Sequence, residues 1–240
     1  MTPALSPFAW LHDHPRIRVV GSFEELVTTP FGDGINALCW QRTLAGDFGE
    51  IVEKLGVGKG ITSIDEARLL ALALSEAGRM AREVLLQDLE RLRARELLPS
   101  LDCVNGYENE IESDLLRTDV QSWHVDSATV EADTYLCTYY GADSEGLRNE
   151  DARRRVDVPE SRAELLRLHG GEDDEGFLEF LNKNYLDLHY AALPQARPFS
   201  FGVGNLWRIA TECPGSPVPP CIHRAPATVP GQPPRLLLIS

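Results

Sequence analysis

Short apolar stretches and glycine-rich turns alternate over residues 1–60. The segments "RIRVVGSF" and "INALCWQR" flank the turn "FGDG", and "GVGKG" closes this part of the chain. Short apolar runs between turn signals predict strands or short helices beside a core. "GVGKG" lacks both the Lys-Ser/Thr ending of a phosphate-binding loop and the apolar strand that precedes one. We therefore interpret it as a flexible turn.

The clearest helical pattern lies between residues 64 and 96. Apolar residues recur there at helical spacing, and Ser63 and Glu66 before them have the spacing of a capping box. The pattern predicts one long helix, or two helices with a break near Gly78. Its apolar stripe is expected to pack on a sheet. Residues 1–100 are thus predicted to form a helical N-terminal support.

Strand patterns dominate from about Leu101. The segment "SWHVDSATVEADTYLCTYYG", residues 122–141, is rich in Trp, Val, Thr and Tyr and predicts a strand that starts with its His-x-Asp triplet. Two helical patterns follow inside an insertion at about residues 148–197. Strand patterns return in "PFSFGVGNLWRIA", "PPCIHRAP" and the terminal "RLLLIS".

This order predicts one domain, residues 1–240, that is mainly β with flanking helices. Strands, a helical insertion and further strands suit a jelly roll, that is, a cupin-like double-stranded β-helix, over residues 101–240. A parallel sheet is disfavoured because regular alternation of strands and helices is missing.

The charge balance narrows the choice of partners. Lys and Arg number 23 against 37 Asp and Glu, a net charge of -14, and so acidic a surface repels nucleic acid. No apolar run is long enough to span a membrane, and the first residues lack the pattern of a secretory signal. We expect a soluble cytoplasmic protein; its oligomeric state is not indicated.

The five cysteines form no Cys-x-x-Cys pair. Scattered thiols in odd number fit reduced core residues better than a disulfide framework. Cys213 and Cys221 flank the loop "PGSPVPP", which leaves open a thiol metal site completed by His223.

A different metal site is suggested by the His-x-Asp triplet. Side chains two apart on a strand point to one face, so His124 and Asp126 can face one ion, although they also suit a polar strand edge. If the loop over residues 225–234 folds back as a hairpin, Arg235 lies across from His223. Two His and one carboxylate form the facial triad of non-heme Fe(II) oxygenases, and Arg is suited to holding a carboxylate.

In these residues the sequence resembles the Fe(II)/2-oxoglutarate-dependent oxygenases, whose motif is His-x-Asp, a distal His and a later Arg. More narrowly, "WHVDS", "TYLCTYYGADSEGLRNEDA" and "HRAP" are similar to a bacterial family of unknown function within that superfamily. The resemblance covers residues 100–240 and implies a double-stranded β-helix with iron inside one open end. It implies that His124, Asp126 and His223 bind Fe(II) and that Arg235 binds 2-oxoglutarate. It also implies that O2 and 2-oxoglutarate are consumed and that succinate and carbon dioxide are formed.

Two features depart from the superfamily pattern. The long gap between the second and third ligands is explained by the helical insertion. Leu237 occupies a position where the superfamily often has Ser or Thr as a second contact to the cosubstrate. Hydroxyl groups on the strand after the triplet are candidates to replace it. They belong to Tyr135, Thr138 and Tyr139.

Substrate contacts are expected from the loop after that strand, because loops at a barrel mouth usually carry specificity. Arg148 and Asn149 are the candidates, and a small molecule, an amino acid or a peptide side chain is the expected substrate. Two alternatives stay open. One is a cupin-like metalloenzyme with the same ligands but without 2-oxoglutarate, and the other is a non-catalytic metal-binding β-barrel.

Overall fold

The computed structural model describes residues 9–107, 117–229 and 231–240. The helices are α1 (Phe23–Thr28), α2 (Phe48–Leu55), α3 (Glu66–Leu70), α4 (Glu76–Arg93), α5 (Pro159–His169) and α6 (Glu175–Lys183). The strands are β1 (Ile17–Val20), β2 (Ala37–Trp40), β3 (Gly60–Ser63), β4 (Ser100–Asn105), β5 (Asp133–Tyr140), β6 (Glu145–Leu147), β7 (Ala152–Arg154), β8 (Tyr190–Ala192), β9 (Phe199–Ser200), β10 (Leu206–Ala210), β11 (Ile222–Arg224) and β12 (Arg235–Ile239).

Seven strands form the main sheet, in the order β1-β2-β10-β5-β12-β4-β3. β1 and β2 are parallel, and the other neighbours are antiparallel. Three of these strands, β1 to β3, precede residue 100. The N-terminal part is therefore more than the helical support that was predicted, and the chain is mixed α and β.

Helices α1 to α4 cover one face of this sheet. Ile51 of α2 and Leu85 of α4 are fully buried in the same apolar cluster as Tyr135 of β5 and Leu238 of β12. Removing such side chains from water is the main stabilising contribution to the fold. The prediction that the helical stripe packs on a sheet is confirmed.

The predicted capping box is wrong. Ser63 ends β3, and Asp65 is the residue whose side chain caps α3. The helices are separated at residues 71–75, after which Ser75 caps α4 by accepting from the Gly78 N–H at 3.1 Å. Gly78 thus lies inside α4. A Cβ there would come within 2.3 Å of Oε2 of Glu50, the α2 side chain that accepts from the Ser75 N–H at 2.8 Å.

The other face of the main sheet packs against a second layer of strands. Phe199 and Phe201, at the three-stranded sheet β11-β6-β9, share an apolar cluster with Leu136 and Trp207 of the main sheet. Backbone bridges join His124 to β11 on one side and to His189 on the other, which extends this layer. The seven-stranded sheet is thus covered by helices on one face and by strands on the other.

The insertion over residues 148–197 contains the two predicted helices, α5 and α6, and also the two-stranded sheet β7-β8. Its helices bury a small cluster of their own that includes Leu165, Phe177 and Leu181. In the described part of the chain, no helix combines the length and the apolar character needed to cross a bilayer.

Candidate metal centre

The His-x-Asp triplet precedes β5 instead of starting it. β5 begins at Asp133. His124 exchanges two backbone hydrogen bonds with His223, at 3.0 and 2.9 Å, so it lies beside β11. The carbonyl of Asp126 accepts from the Glu212 N–H at 2.8 Å, which fixes the backbone at the last residue of the triplet. The expectation of one strand across residues 122–141 is therefore wrong, because the triplet pairs with a strand of the other layer.

Three side chains converge at this point. The ligand-type atoms of His124, Asp126 and His223 all lie within 4.8 Å of one another. Nε2 of His124 is 3.9 Å from Asp126 Oδ1, and Nε2 of His223 is 3.6 Å from Asp126 Oδ2. The two imidazole centroids are 4.5 Å apart. Groups at this spacing can share one metal ion, and no other such cluster occurs among the residues that the structure describes.

The backbone fixes the orientation of both imidazoles. Nδ1 of His124 donates to the Ser122 carbonyl at 2.8 Å, and Nδ1 of His223 donates to the Cys221 carbonyl at 3.2 Å. A carbonyl cannot donate, so Nδ1 carries the proton in each ring and Nε2 keeps its lone pair. Hydrogen bonds of this kind orient the ligands in metal sites. Both lone pairs therefore lie beside the Asp126 carboxylate.

The protonation states also suit a metal. Burial, reinforced by the nearby His223, lowers the pKa of His124 to about 4. Burial opposes ionisation of Asp126, but His223 and a 2.6 Å hydrogen bond from Thr134 outweigh it, so the pKa of Asp126 lies below its ordinary value. At neutral pH the cluster thus offers a neutral imidazole on His124 and an ionised carboxylate, the forms that bind metals.

The cluster opens into a cavity of about 660 Å³ whose wall also includes Arg235. The four residues predicted from the motif therefore surround one space. The predicted hairpin is wrong, however, because β11 pairs with β6 whereas β12 pairs with β4 and β5. His223 and Arg235 come from different sheets that line the same cavity.

Arg235 is a buried cation whose hydrogen-bond partners are uncharged. Its side chain donates to the Ala142 carbonyl at 2.6 Å and to the hydroxyls of Tyr107 at 3.0 Å, Ser144 at 3.0 Å and Thr138 at 3.4 Å. The residue is 5% exposed, and within the described ranges no carboxylate forms an ion pair with it. Burial lowers the pKa of the guanidinium, and the Tyr107 hydroxyl and the charge of Asp143, which forms no ion pair with it, only partly offset this effect. Such a cation is prepared for an anionic ligand.

Tyr135 and Tyr139 do not reach this cavity. Side chains alternate along β5, so both tyrosines face the helices. The Tyr139 hydroxyl donates to Asp88 at 2.8 Å, and its ring stacks on Phe48. Of the three hydroxyl residues considered for Arg235, only Thr138 contacts it; the prediction for the two tyrosines is wrong because they lie on the opposite face.

Arg148 and Asn149 are also occupied elsewhere. Arg148 donates to Asp151 at 2.7 Å, and Asn149 donates to the Pro220 carbonyl at 3.0 Å and accepts from Asn36 at 2.9 Å. Neither residue lines the cavity beside the cluster. Local partners hold both side chains at the end of β6, so their role as substrate contacts stays a prediction that the position of the cavity does not support.

The alternative thiol site does not assemble. Cys221 is buried in an apolar cluster, where burial raises the pKa of its thiol to about 12. The part of Cys221 that His223 contacts is the backbone carbonyl. Within the described ranges, the metal-type cluster contains His223 but neither Cys213 nor Cys221.

Sequence reasoning missed three polar residues around the site. Tyr107 and Ser144 contact Arg235, and His189 lies with its ring centroid 5.8 Å from that of His124. His189 comes from the insertion, and its Nδ1 lies 2.8 Å from the Ser122 hydroxyl. No spacing rule links these residues to the triplet, because their proximity depends on how distant strands are arranged.

Comparisons of this chain with models of protein families, with curated proteins and with solved structures find no match. The function must therefore be inferred from the residues of the site.

Proposed function

We propose that this chain is an Fe(II)- and 2-oxoglutarate-dependent dioxygenase that hydroxylates a small molecule, an amino acid or a peptide side chain. One observation carries the proposal. A His-Asp-His cluster and a buried arginine without a carboxylate partner in the described residues line the same cavity. The first feature suits a metal and the second suits the anion that would bind beside it.

The donor set fits Fe(II). His124, Asp126 and His223 supply two nitrogens and one carboxylate from two neighbouring segments, the combination of the facial triad in non-heme Fe(II) enzymes. The imidazole donors are held by hydrogen bonds to backbone carbonyls, as in other ordered metal sites. The cavity on the open side of the cluster leaves room for further ligands.

The part of the cavity wall that contains Arg235 fits the distal carboxylate of 2-oxoglutarate. Arg235 would hold it, with the hydroxyls of Tyr107, Thr138 and Ser144 around the guanidinium. A cavity of about 660 Å³ lies in the ordinary size range of small-molecule sites. Leu237, at the position where a hydroxyl is common in the superfamily, adds an apolar surface to this wall.

Bound Fe(II), 2-oxoglutarate and O2 supply an oxidation in which one oxygen atom becomes a substrate hydroxyl and the other enters succinate, with release of carbon dioxide. The protein holds the participants on facing strand layers and keeps Asp126 ionised beside neutral His124. The two layers support the finer proposal that residues 101–240 form a double-stranded β-helix. We also propose a cytoplasmic location, which the five free cysteines support.

The proposal is tested by adding Fe(II) and then 2-oxoglutarate under anaerobic conditions. A weak visible charge-transfer band is expected, and in air slow succinate release should follow without any substrate. Asp126→Ala should abolish both signals because it removes the one anionic metal ligand. Glu172→Gln, which removes an exposed charge in the insertion loop, is the control and should retain both.

Two results would contradict the proposal. One is normal succinate release from Asp126→Ala. The other is tight metal binding by wild-type protein that gives neither a 2-oxoglutarate band nor succinate, which would favour the cupin-like alternative, in which Arg235 binds an acidic substrate.

A further inference from the structure

Exposed apolar side chains form part of the cavity wall. Ile61 of β3 and Ile239 of β12 are 60% and 38% exposed, and Val120, in the segment before the triplet, is 45% exposed. Leu237 and Leu136 continue this surface inward on the same face of β12 and β5. A ligand in this cavity therefore meets apolar side chains as well as the metal cluster.

One carboxylate interrupts this apolar surface. Asp102 of β4 lies directly across from Leu237 of β12 and from Ser63 of β3, and it lines the cavity. Its Oδ1 accepts from Ser63 at 2.6 Å and from Ser100 at 3.0 Å. Both partners are neutral, and within the described ranges Asp102 forms no ion pair and its Oδ2 accepts no hydrogen bond.

The other carboxylates of the cavity have roles already. Asp119 accepts from the Arg117 guanidinium at 2.6 Å and from two backbone N–H groups, at 2.8 and 3.1 Å. Asp126 belongs to the metal cluster. Asp102 is thus the lining carboxylate, among the described residues, with neither a cationic partner nor a metal to face.

The other charges expected in a site that holds Fe(II) and 2-oxoglutarate do not provide a partner for Asp102. In a site that held Fe(II) and 2-oxoglutarate, the metal and Arg235 would supply three positive charges against Asp126 and the two carboxylates of 2-oxoglutarate, and Asp143 adds a further negative charge near Arg235. Arg117 balances Asp119. Asp102 is half-buried beside apolar side chains and has no cationic partner in the described residues, so a cation from the substrate can pair with it.

We propose that the substrate is an apolar molecule carrying a basic nitrogen, and that Asp102 holds this ammonium or guanidinium group while the apolar part lies along Leu237 and Ile239. This inference rests on the proposed function for its charge balance, although the recognition by Asp102 does not depend on it. A protein with a net charge of -14 also attracts cationic ligands over long range.

The test uses n-hexylamine, n-hexanol and n-hexanoate, which share one apolar body and differ in the charge of the end group. Binding to protein loaded with Zn(II) and 2-oxoglutarate is followed by NMR shift titration, so that no turnover is needed. Wild-type protein should bind the amine roughly tenfold more tightly than the alcohol and bind the hexanoate most weakly. Asp102→Asn, which keeps an acceptor for both serines, should remove the preference for the amine, whereas Glu172→Gln should keep it.

Equal binding of amine and alcohol by wild-type protein would overturn the inference even if Asp102→Asn failed to fold. So would an amine preference that persists in folded Asp102→Asn. Repeating the titration on wild-type protein and Asp102→Asn without metal and cosubstrate separates the two proposals, because a preference that came from the metal-free Asp126 would persist in Asp102→Asn. If the amine preference is present but no Fe(II)/2-oxoglutarate band forms, the recognition by Asp102 stands and the dioxygenase proposal fails. If the band forms without the preference, the dioxygenase proposal stands and the recognition by Asp102 fails.

Discussion

Replacing Arg235 with Met should separate cosubstrate binding from stability. Arg235 contributes four hydrogen bonds to the fold, worth about 1 kcal/mol each, so about 4 kcal/mol is lost with the guanidinium. Burying a cation without an anionic partner costs several kcal/mol in the opposite direction. The free energy of unfolding should therefore change by no more than roughly 2 kcal/mol.

The effect on 2-oxoglutarate should be much larger. The guanidinium has five N–H groups, so one is free, and the 3.4 Å bond to Thr138 is long enough to be exchanged for a second bond to the distal carboxylate. Two charge-assisted hydrogen bonds contribute about 1.5–3 kcal/mol each, so Arg235→Met should weaken the cosubstrate by at least about a hundredfold. Arg235→Lys keeps the charge but loses the planar fork, and it should fall between Met and wild type. Metal affinity should be unchanged, because Arg235 is not in the ligand cluster.

Calorimetric titration of 2-oxoglutarate into metal-loaded protein measures the affinity, and urea unfolding measures the stability. Arg18→Met is the matched control, since Arg18 is an exposed arginine on β1, at the far edge of the same sheet. Its cosubstrate affinity should equal that of wild type. The assigned role of Arg235 is refuted if Arg235→Met binds 2-oxoglutarate as tightly as this control.

Three further predictions follow from buried polar contacts. Thr134→Val removes the 2.6 Å hydrogen bond to Asp126 and should weaken metal binding roughly tenfold. A competition titration with a chelator measures this affinity, and an unchanged value would show that the bond does not orient Asp126. The metal-free protein should lose stability as the pH falls from 6.5 towards 4. Burial lowers the pKa of His124 and His189 to about 4, so in this window the unfolded chain binds protons that the folded chain does not. Urea unfolding that is independent of pH between these values would contradict the prediction. Asp88→Asn should destabilise the fold by about 3–5 kcal/mol, because Asp88 is fully buried and its buried partner Arg42 would lose its counter-charge. A loss under about 1 kcal/mol in urea unfolding would contradict this role of Asp88.

The sequence predicted the residues of the site better than it predicted the strand pairing that brings them together. The His-x-Asp triplet, His223 and Arg235 were found from residue type and order, and the structure places all of them around one cavity. The proposed hairpin failed because residues 225–234 connect strands of two different layers. Local patterns reveal turns and strands, but they do not show which distant strand a segment will pair with.

The same limit explains the misplaced side chains. Tyr135 and Tyr139 were assigned to the cavity, yet a strand directs alternate residues to opposite faces, and the helices of the N-terminal part cover theirs. Ser144, which does contact Arg235, lies just before β6 in a loop without any recognisable motif. Its role depends on tertiary contacts that sequence spacing does not encode.

The helical region shows a second kind of limit. Apolar periodicity located the helices, but the N-cap that the capping-box spacing indicated was wrong. Asp65 caps α3, while Ser63 is paired with Asp102 in the main sheet. Strand pairing across distant residues thus moved the start of the helix, and the glycine at position 78 lies inside α4 instead of marking a break.

The most direct test of the central claim is a crystal structure of protein grown anaerobically with Fe(II) and 2-oxoglutarate, with anomalous data collected on both sides of the iron edge. We predict one strong iron peak bound by His124, Asp126 and His223, with 2-oxoglutarate on the metal and its distal carboxylate on Arg235. An iron peak at any other residues, or a 2-oxoglutarate molecule that does not reach Arg235, would contradict this claim.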